Sequence, residues 1–136
     1  MANSIPGPSA NPAVVLHIED DNSVALAVAR VLRLEGYKVV IAASGVEAIQ
    51  LVEKDLVPDL ILTDYHLPLK MSGDQVITEI QTRLGFKPPT IMLASLSNME
   101  VDKMASVADR VFAKPVDMTV MLQAIRRLLS ARIDLK

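Results

Sequence analysis

The chain has 136 residues, a formal net charge of −2 and no cysteine, and 51% of its residues are hydrophobic but only 3% aromatic. This length suits one domain, and an aliphatic interior favours parallel strands covered by helices. The lack of cysteine excludes disulfides and thiolate chemistry. No apolar run predicts a transmembrane helix, no signal peptide is visible, and the charge argues against nucleic-acid binding. We expect a cytoplasmic domain without membrane or nucleic-acid contacts.

Residues 1–12 differ in composition from the rest of the chain. They contain three prolines among small polar residues. Such a segment cannot bury enough apolar surface to offset the entropy lost on ordering. We predict a flexible tail or linker over residues 1–12 and a folded domain over residues 13–136.

From Ala13 onward, short apolar runs alternate with longer segments of helical periodicity. The apolar runs predict five strands, at residues 14–18, 38–42, 60–63, 90–93 and 110–113. Capping patterns at Ser44–Glu47, Ser72–Gln75 and Ser97–Glu100 each precede a predicted helix, and the last helix is expected to begin near Asp117.

Five strands that alternate with five helices predict an α/β fold, a (βα)5 three-layer sandwich with a parallel five-stranded sheet. For five strands the flavodoxin-like order 2-1-3-4-5 is a common solution. We therefore expect strands one and three to be neighbours.

Acidic residues and one lysine follow the ends of three predicted strands. Glu19, Asp20 and Asp21 come after the first strand, Asp64 after the third and Lys114 after the fifth. Ligands of open α/β sheets bind beyond the carboxyl ends of the strands. Carboxylates brought together repel unless a cation lies among them, and oxygen ligands favour Mg²⁺ or Mn²⁺. The sequence therefore predicts a metal site at this edge.

Such a site suits phosphoryl transfer. A carboxylate beside Mg²⁺ can attack a phosphoryl group, while the metal and a lysine neutralise the transferring oxygens. Asp64 is the best candidate nucleophile because it stands alone after its strand. Glu19 and Asp20 are typical of metal ligands, and Lys114 is the candidate cation.

Each of these residues also has an ordinary structural interpretation. Asp20, Asp21 or Asn22 could cap the first helix, and Lys114 could be a solvated loop residue. His17 lies inside an apolar strand, where a hydrogen-bonded core or edge residue is a better expectation than a ligand. The joint placement of the acids and the lysine at one edge favours the site.

The ordered set of motifs resembles the receiver domain of two-component response regulators from about Val14 to Leu129. The matching stretches are Ile18–Asp21, Gly36–Tyr37, Pro58–Asp64, Leu67–Pro68, Gly73 and Lys114–Pro115. The run from Asp64 to Pro68 and the proline-rich start favour the receiver of a hybrid sensor histidine kinase over a stand-alone receiver.

The resemblance implies that Asp64 accepts a phosphoryl group from a histidine kinase or a histidine phosphotransfer protein and signals to a downstream effector. It implies that Glu19, Asp20, Asp64 and the backbone carbonyl of His66 bind Mg²⁺ or Mn²⁺. Lys114 would pair with the acceptor or its phosphoryl oxygens. The domain would catalyse its own phosphotransfer and autodephosphorylation and would not be a conventional enzyme.

Two switch positions depart from the family pattern. The hydroxyl residue expected at the end of strand four is replaced by Ala94, with Ser95 next to it. Either Ser95 substitutes or that hydrogen bond is absent. The aromatic residue expected three positions before the lysine is Val111. The peptide bond before Pro115 is expected to be cis, a minority isomer even before proline.

Other function classes fit less well. A flavin phosphate would have to approach the acids at residues 19–21, and aspartate-based phosphatases need a second acid where His66 stands. The remaining alternative is a degenerate receiver, a protein–protein interaction module without phosphorylation-driven switching. The departures at Ala94 and Val111 favour that alternative.

Overall fold

The computed structural model describes residues 11–95, 97 and 100–134. Most of the predicted tail, residues 1–10, lies outside the described residues. The strands are β1 (Val14–Ile18), β2 (Lys38–Ala42), β3 (Leu60–Asp64), β4 (Thr90–Ser95) and β5 (Arg110–Lys114). The helices are α1 (Asn22–Leu34), α2 (Gly45–Glu53), α3 (Gly73–Leu84), α4 (Val101–Ala105) and α5 (Met118–Asp134).

The strands form one parallel sheet in the order β2-β1-β3-β4-β5. This order and the alternation with helices confirm the predicted fold class. The register pairs Ile18 with Thr63 and Asp64 with Leu93. Because all the strands run the same way, the residues that follow β1, β3 and β5 meet at one edge of the sheet.

Two hydrophobic clusters cover the two faces of the sheet. Leu16 and Ile18 of β1 face the cluster that contains buried residues of α2 and α3. Val15, adjacent to Leu16 in the strand, faces the cluster that contains buried residues of α1 and α5. Successive side chains of a strand point to opposite faces. A sheet buried on both faces explains why its strands are continuous aliphatic runs.

Four helices begin at side-chain caps close to the edge that carries the acids. At the predicted start of α5, Asp117 accepts the backbone N–H groups of residues 119 and 120. Asp21 accepts the backbone N–H groups of residues 23 and 24 at the start of α1. Ser44 accepts a backbone N–H at the start of α2. Ser72 and Gln75 form a capping box at the start of α3. These caps fix the direction in which the chain leaves β1, β2 and the loop after β3.

The start of α4 differs from the prediction. The helix begins after Glu100 and not at Ser97, and Glu100 makes no side-chain cap hydrogen bond to the described backbone. Its carboxylate instead accepts a hydrogen bond from Tyr65 and pairs with Lys103. The helix therefore begins later than the pattern at Ser97–Glu100 predicts and is only five residues long; residues 98 and 99 of that pattern lie outside the described residues.

Across the described part of the chain, no helix is both long enough and apolar enough to cross a membrane.

Candidate functional site

The structure brings four predicted residues together at the carboxyl edge of the sheet. Glu19 and Asp20 lie in the loop after β1, Asp64 ends β3 and Lys114 ends β5. The ammonium Nζ of Lys114 lies 2.9 Å from Asp64 Oδ2 and 3.9 Å from Glu19 Oε1. Residues far apart in the chain thus share one cluster of charges.

The three carboxylates are arranged as a cation site. Glu19, Asp20 and Asp64 each offer an oxygen within 4.8 Å of the other two. Glu19 and Asp64 are each only 3% exposed, whereas Asp20 is exposed. Asp64 Oδ1 is buried and has no hydrogen-bond partner among the described residues. An unpaired buried carboxylate oxygen beside two further carboxylates fits Mg²⁺ or Mn²⁺, which prefer hard oxygen ligands.

Burial makes the ionised form of this cluster costly. It raises the pKa of Glu19 to about 7, with a further rise from neighbouring Asp64, although the backbone N–H of Asp21 opposes the shift. Burial also raises the pKa of Asp64, although the nearby ammonium of Lys114 lowers it in part. Lys114 is partly desolvated, but its contact with Asp64 raises its pKa overall. A divalent cation would favour the ionised carboxylates and would therefore compete with protons.

The loop after β3 is held close to the site by backbone contacts. Tyr65 donates its N–H to the carbonyl of Leu93 at 2.8 Å, and its own carbonyl accepts the N–H of Gly73 at 2.6 Å. A Cβ at Gly73 would lie 2.5 Å from the backbone oxygen of Asp64. The chain therefore needs glycine at position 73 because α3 begins against the backbone of the candidate nucleophile.

His66 lies at the exposed rim of the site. It forms an isolated antiparallel bridge with Ser72, and its ring packs edge-on against Tyr65 at 4.9 Å between centroids. The use of its backbone carbonyl as a metal ligand stays a prediction.

The two switch positions lie beside the site and have apolar surroundings. Buried Ala94 and half-buried Val111 both belong to the cluster on the α2 and α3 face. The hydroxyl of Ser95 lies 3.5 Å from that of Ser97. The replacement of a switch hydroxyl by Ser95 also stays a prediction. The peptide bond between Lys114 and Pro115 is cis.

One connection at the site was not predicted. The side chain of Tyr65 is buried, and its hydroxyl donates a 2.7 Å hydrogen bond to Glu100 Oε2 at the start of α4. Lys103 pairs with the same oxygen at 3.0 Å. The residue after the candidate nucleophile is thereby tied to α4. The separation of 35 residues leaves no local pattern that could have revealed this contact.

His17 lies on the opposite face of β1 from the hydrophobic residues Leu16 and Ile18. It is fully buried, and neither ring nitrogen has a hydrogen-bond partner within the described structure. The prediction of a core residue is confirmed, but the predicted hydrogen bond is not found, and the strand neighbours Ile41 and Leu62 are aliphatic. Burial, with a contribution from Lys114, lowers the pKa of His17 to about 4 and keeps the ring neutral near pH 7.

Comparison with known proteins agrees with this geometry. The family model for the response regulator receiver domain matches residues 15–126. The chain belongs to this family. The receiver is 33% identical over 120 residues to the transcriptional regulatory protein GlrR of Escherichia coli strain K12, a match that covers 86% of this chain and 26% of that protein. The receiver thus spans about a quarter of the length of that relative.

Solved receiver structures superpose closely on this one. The N-terminal domain of a response regulator/sensory box/GGDEF 3-domain protein from Carboxydothermus hydrogenoformans gives a TM-score of 0.79 at 29% identity, over 89% of this chain and 97% of that one. The signal receiver domain of a signal transduction histidine kinase from Syntrophus aciditrophicus gives 0.78 at 27% identity, over 88% and 91%. The predictions of a receiver domain, of its flavodoxin-like fold and of a role in two-component signalling are confirmed.

Proposed function

We propose that this receiver accepts a phosphoryl group on Asp64 from the phosphohistidine of a histidine kinase or of a histidine phosphotransfer protein. One observation carries the proposal. Asp64 pairs with Lys114 at 2.9 Å through Oδ2, and its Oδ1 has no hydrogen-bond partner among the described residues. Asp64 also offers a carboxylate oxygen within 4.8 Å of oxygens of Glu19 and Asp20. A nucleophile, a cation and a metal-ligand set are thereby gathered in one place.

The proposed ligands of Mg²⁺, or of Mn²⁺ in its place, are one oxygen from each of Glu19, Asp20 and Asp64 and the backbone carbonyl of His66. The three carboxylates are close enough to one another to share an ion. When bound, the metal supplies positive charge to the transferring phosphoryl oxygens. Exposed Asp20 lies on the solvent side of the cluster, where water ligands can complete the shell.

The proposed chemistry is a single displacement at phosphorus. A carboxylate oxygen of Asp64 forms the new P–O bond, and the P–N bond of the donor breaks with its electron pair left on the imidazole nitrogen. Lys114 holds its ammonium against the oxygens that carry the developing charge. Attack of water on the acyl phosphate then returns Asp64 and inorganic phosphate, so the signal is self-limiting.

Phosphotransfer from purified phosphorylated donors tests the proposal. Radiolabelled phosphotransfer proteins, and separately acetyl phosphate, are mixed with the receiver and Mg²⁺, and bound label is counted. We expect labelling that chelation abolishes and that Asp64→Asn removes. Asp59→Asn is the matched control, since Asp59 lies just before the other end of β3 and accepts the N–H of Val14.

Two results would overturn the proposal. Undiminished labelling of Asp64→Asn would place the acceptor elsewhere. No labelling from any donor, acetyl phosphate included, would favour the alternative, a degenerate receiver that acts as an interaction module. The departures from the family pattern at Ala94 and Val111 agree with that alternative.

The proposed setting is a larger signalling protein. Similarity to the receiver of the Syntrophus histidine kinase supports a hybrid histidine kinase, in which a downstream effector or phosphotransfer protein reads the phosphorylated state. Since phosphohistidine is made from ATP, the proposal also places the receiver in the cytoplasm with its donor.

A further inference from the structure

Helix α4 depends on tertiary contacts to stay ordered. It is five residues long, and of these only Met104 is buried. A helix this short is not stable by itself in water, because nucleation costs more than a single turn returns. Met104 packs in the same cluster as Tyr65, and Glu100 at the helix start accepts the hydrogen bond from the Tyr65 hydroxyl at 2.7 Å. Tyr65 therefore supplies one of the contacts that hold α4 against the sheet.

Tyr65 is also fixed with respect to the candidate nucleophile. It follows Asp64 directly, its N–H bonds to the Leu93 carbonyl at 2.8 Å, and its own carbonyl accepts the Gly73 N–H at 2.6 Å. The backbone of Asp64 is closely packed, since a Cβ at Gly73 would lie 2.5 Å from its oxygen. Residues 64 and 65 therefore form one rigid piece of backbone, with a carboxylate of the acidic cluster at one end and the phenol ring at the other.

The hydroxyl of Tyr65 cannot lose Glu100 without cost. Tyr65 is only 4% exposed, and a buried hydroxyl without a hydrogen-bond partner is unfavourable. When α4 frays, the ring must either accept this cost or turn toward solvent, and turning strains the backbone that carries Asp64. A cation held by Asp64 together with Glu19 and Asp20 opposes that movement. Binding of a cation and ordering of α4 should therefore favour each other.

The two switch positions cannot supply this connection. Ala94 and Val111 belong to the same apolar cluster, and neither side chain has a polar atom. Tyr65 and Glu100, in contrast, form a hydrogen bond across 35 residues of sequence. The connection is thus a property of this chain and not of the residues at which the family pattern places its switch.

We propose that the Tyr65–Glu100 hydrogen bond couples the carboxylate cluster to α4, so that a divalent cation bound at the cluster and an ordered α4 stabilise each other. The coupling rests on the metal ligands named in the proposed function, but not on transfer of a phosphoryl group. Tyr65 is a positioning residue, because it acts on the cation only through Asp64. By the same reciprocity, any contact that draws Glu100 away from Tyr65 weakens cation binding.

Amide hydrogen exchange of the whole chain, followed by ¹H–¹⁵N NMR in EDTA and in Mg²⁺, tests the coupling. The reporters are the N–H groups of Met104, Ser106 and Ala108, which bond to the carbonyls of residues 100, 102 and 104. With Mg²⁺ at about ten times its Kd, their exchange should slow roughly three- to tenfold, because opening of α4 then competes with cation binding. Shifts of the amide signals of residues 19–21 show separately that the ion is bound.

Two variants break the hydrogen bond from opposite ends. Tyr65→Phe keeps the buried ring without its hydroxyl. Glu100→Ala removes the acceptor at a half-exposed position, so it serves should Tyr65→Phe fail to fold. In both variants the exchange of α4 should no longer depend on Mg²⁺, and the double variant should behave like either single one. Lys103→Gln is the matched control, since it removes the ion pair to the same Glu100 oxygen and should keep the effect of Mg²⁺.

Three results would overturn the coupling and leave the proposed function intact. They are exchange of α4 that ignores Mg²⁺ in the unaltered chain although residues 19–21 shift, slowing by Mg²⁺ that survives in Tyr65→Phe or Glu100→Ala, and loss of the effect in Lys103→Gln. A lack of saturable shifts at residues 19–21 would instead overturn the proposed metal site, and the coupling with it. Failure to label Asp64 while Mg²⁺ still slows the exchange of α4 would uphold the coupling and overturn phosphotransfer alone.

Discussion

Replacing Glu19 by glutamine should stabilise the metal-free protein at alkaline pH. In the folded chain burial and Asp64 raise the pKa of Glu19 from its ordinary value of 4.5 to about 7. A carboxyl whose pKa is raised by folding costs stability once it ionises in the native state. The amide introduced by Glu19→Gln carries no charge, yet its oxygen can still accept the backbone N–H of Asp21.

The expected gain in the free energy of unfolding follows from this rise in the pKa of Glu19. Each unit of pKa shift is worth about 1.4 kcal/mol, so a rise in the pKa of Glu19 from 4.5 to about 7 corresponds to about 3 kcal/mol. Solvent around exposed Asp20 and partly exposed Lys114 screens these charges, so about 1–2 kcal/mol is the expected gain. The gain should be absent at pH 4.5, grow between pH 4.5 and 7, and be complete at pH 8.

Urea unfolding of both proteins in EDTA, at pH 4.5 and pH 8, measures this difference. The two chains differ only at position 19, so the pH dependence of the difference reports the charge of Glu19 together with its coupling to Asp64. Saturating Mg²⁺ should reverse the order at pH 8, since only the unaltered chain keeps all its proposed ligands. Asp20→Asn is the control, with a change within about 0.5 kcal/mol in EDTA expected for an exposed side chain. A glutamine variant that is less stable at pH 8 without metal, or a difference independent of pH, would refute the reasoning.

Three further substitutions probe the fold around the site. Gly73→Ala puts a Cβ 2.5 Å from the backbone oxygen of Asp64, so urea unfolding should show a loss of about 1–3 kcal/mol; unchanged stability would contradict this close approach. Tyr65→Phe removes the hydrogen bond to Glu100 and should speed hydrogen exchange in α4 but not in α1; equal α4 exchange would show that the bond does not hold the helix. Leu62→Ala empties a fully buried position of β3 and should cost about 2–5 kcal/mol, with a loss below about 1 kcal/mol arguing against tight packing there.

Much of the fold could be predicted because local patterns carry it. The five aliphatic runs and the capping patterns at Ser44 and Ser72 define β1 to β5 and the starts of α2 and α3 without long-range information. The strand order follows from a common solution for five alternating units. The acids and the lysine could be placed at one edge because parallel strands all end on the same side.

The remaining features depend on contacts between distant residues. α4 begins at Val101, directly after Glu100, whose carboxylate contacts Tyr65 and Lys103, whereas the pattern that starts at Ser97 predicts an earlier boundary. His17 has no hydrogen-bond partner among the described residues, and its strand neighbours Ile41 of β2 and Leu62 of β3 come from distant parts of the chain and are aliphatic. Neither arrangement leaves a periodic signal in the sequence near the residue concerned.

The most direct test of the central claim is to locate the phosphoryl group on the chain. After incubation with acetyl phosphate and Mg²⁺, borohydride reduces an aspartyl phosphate to homoserine, which peptide mass spectrometry can locate. The account predicts homoserine at position 64 alone, and none when EDTA replaces Mg²⁺. Homoserine at Asp20 or Asp59, or modification that persists without a divalent cation, would contradict it.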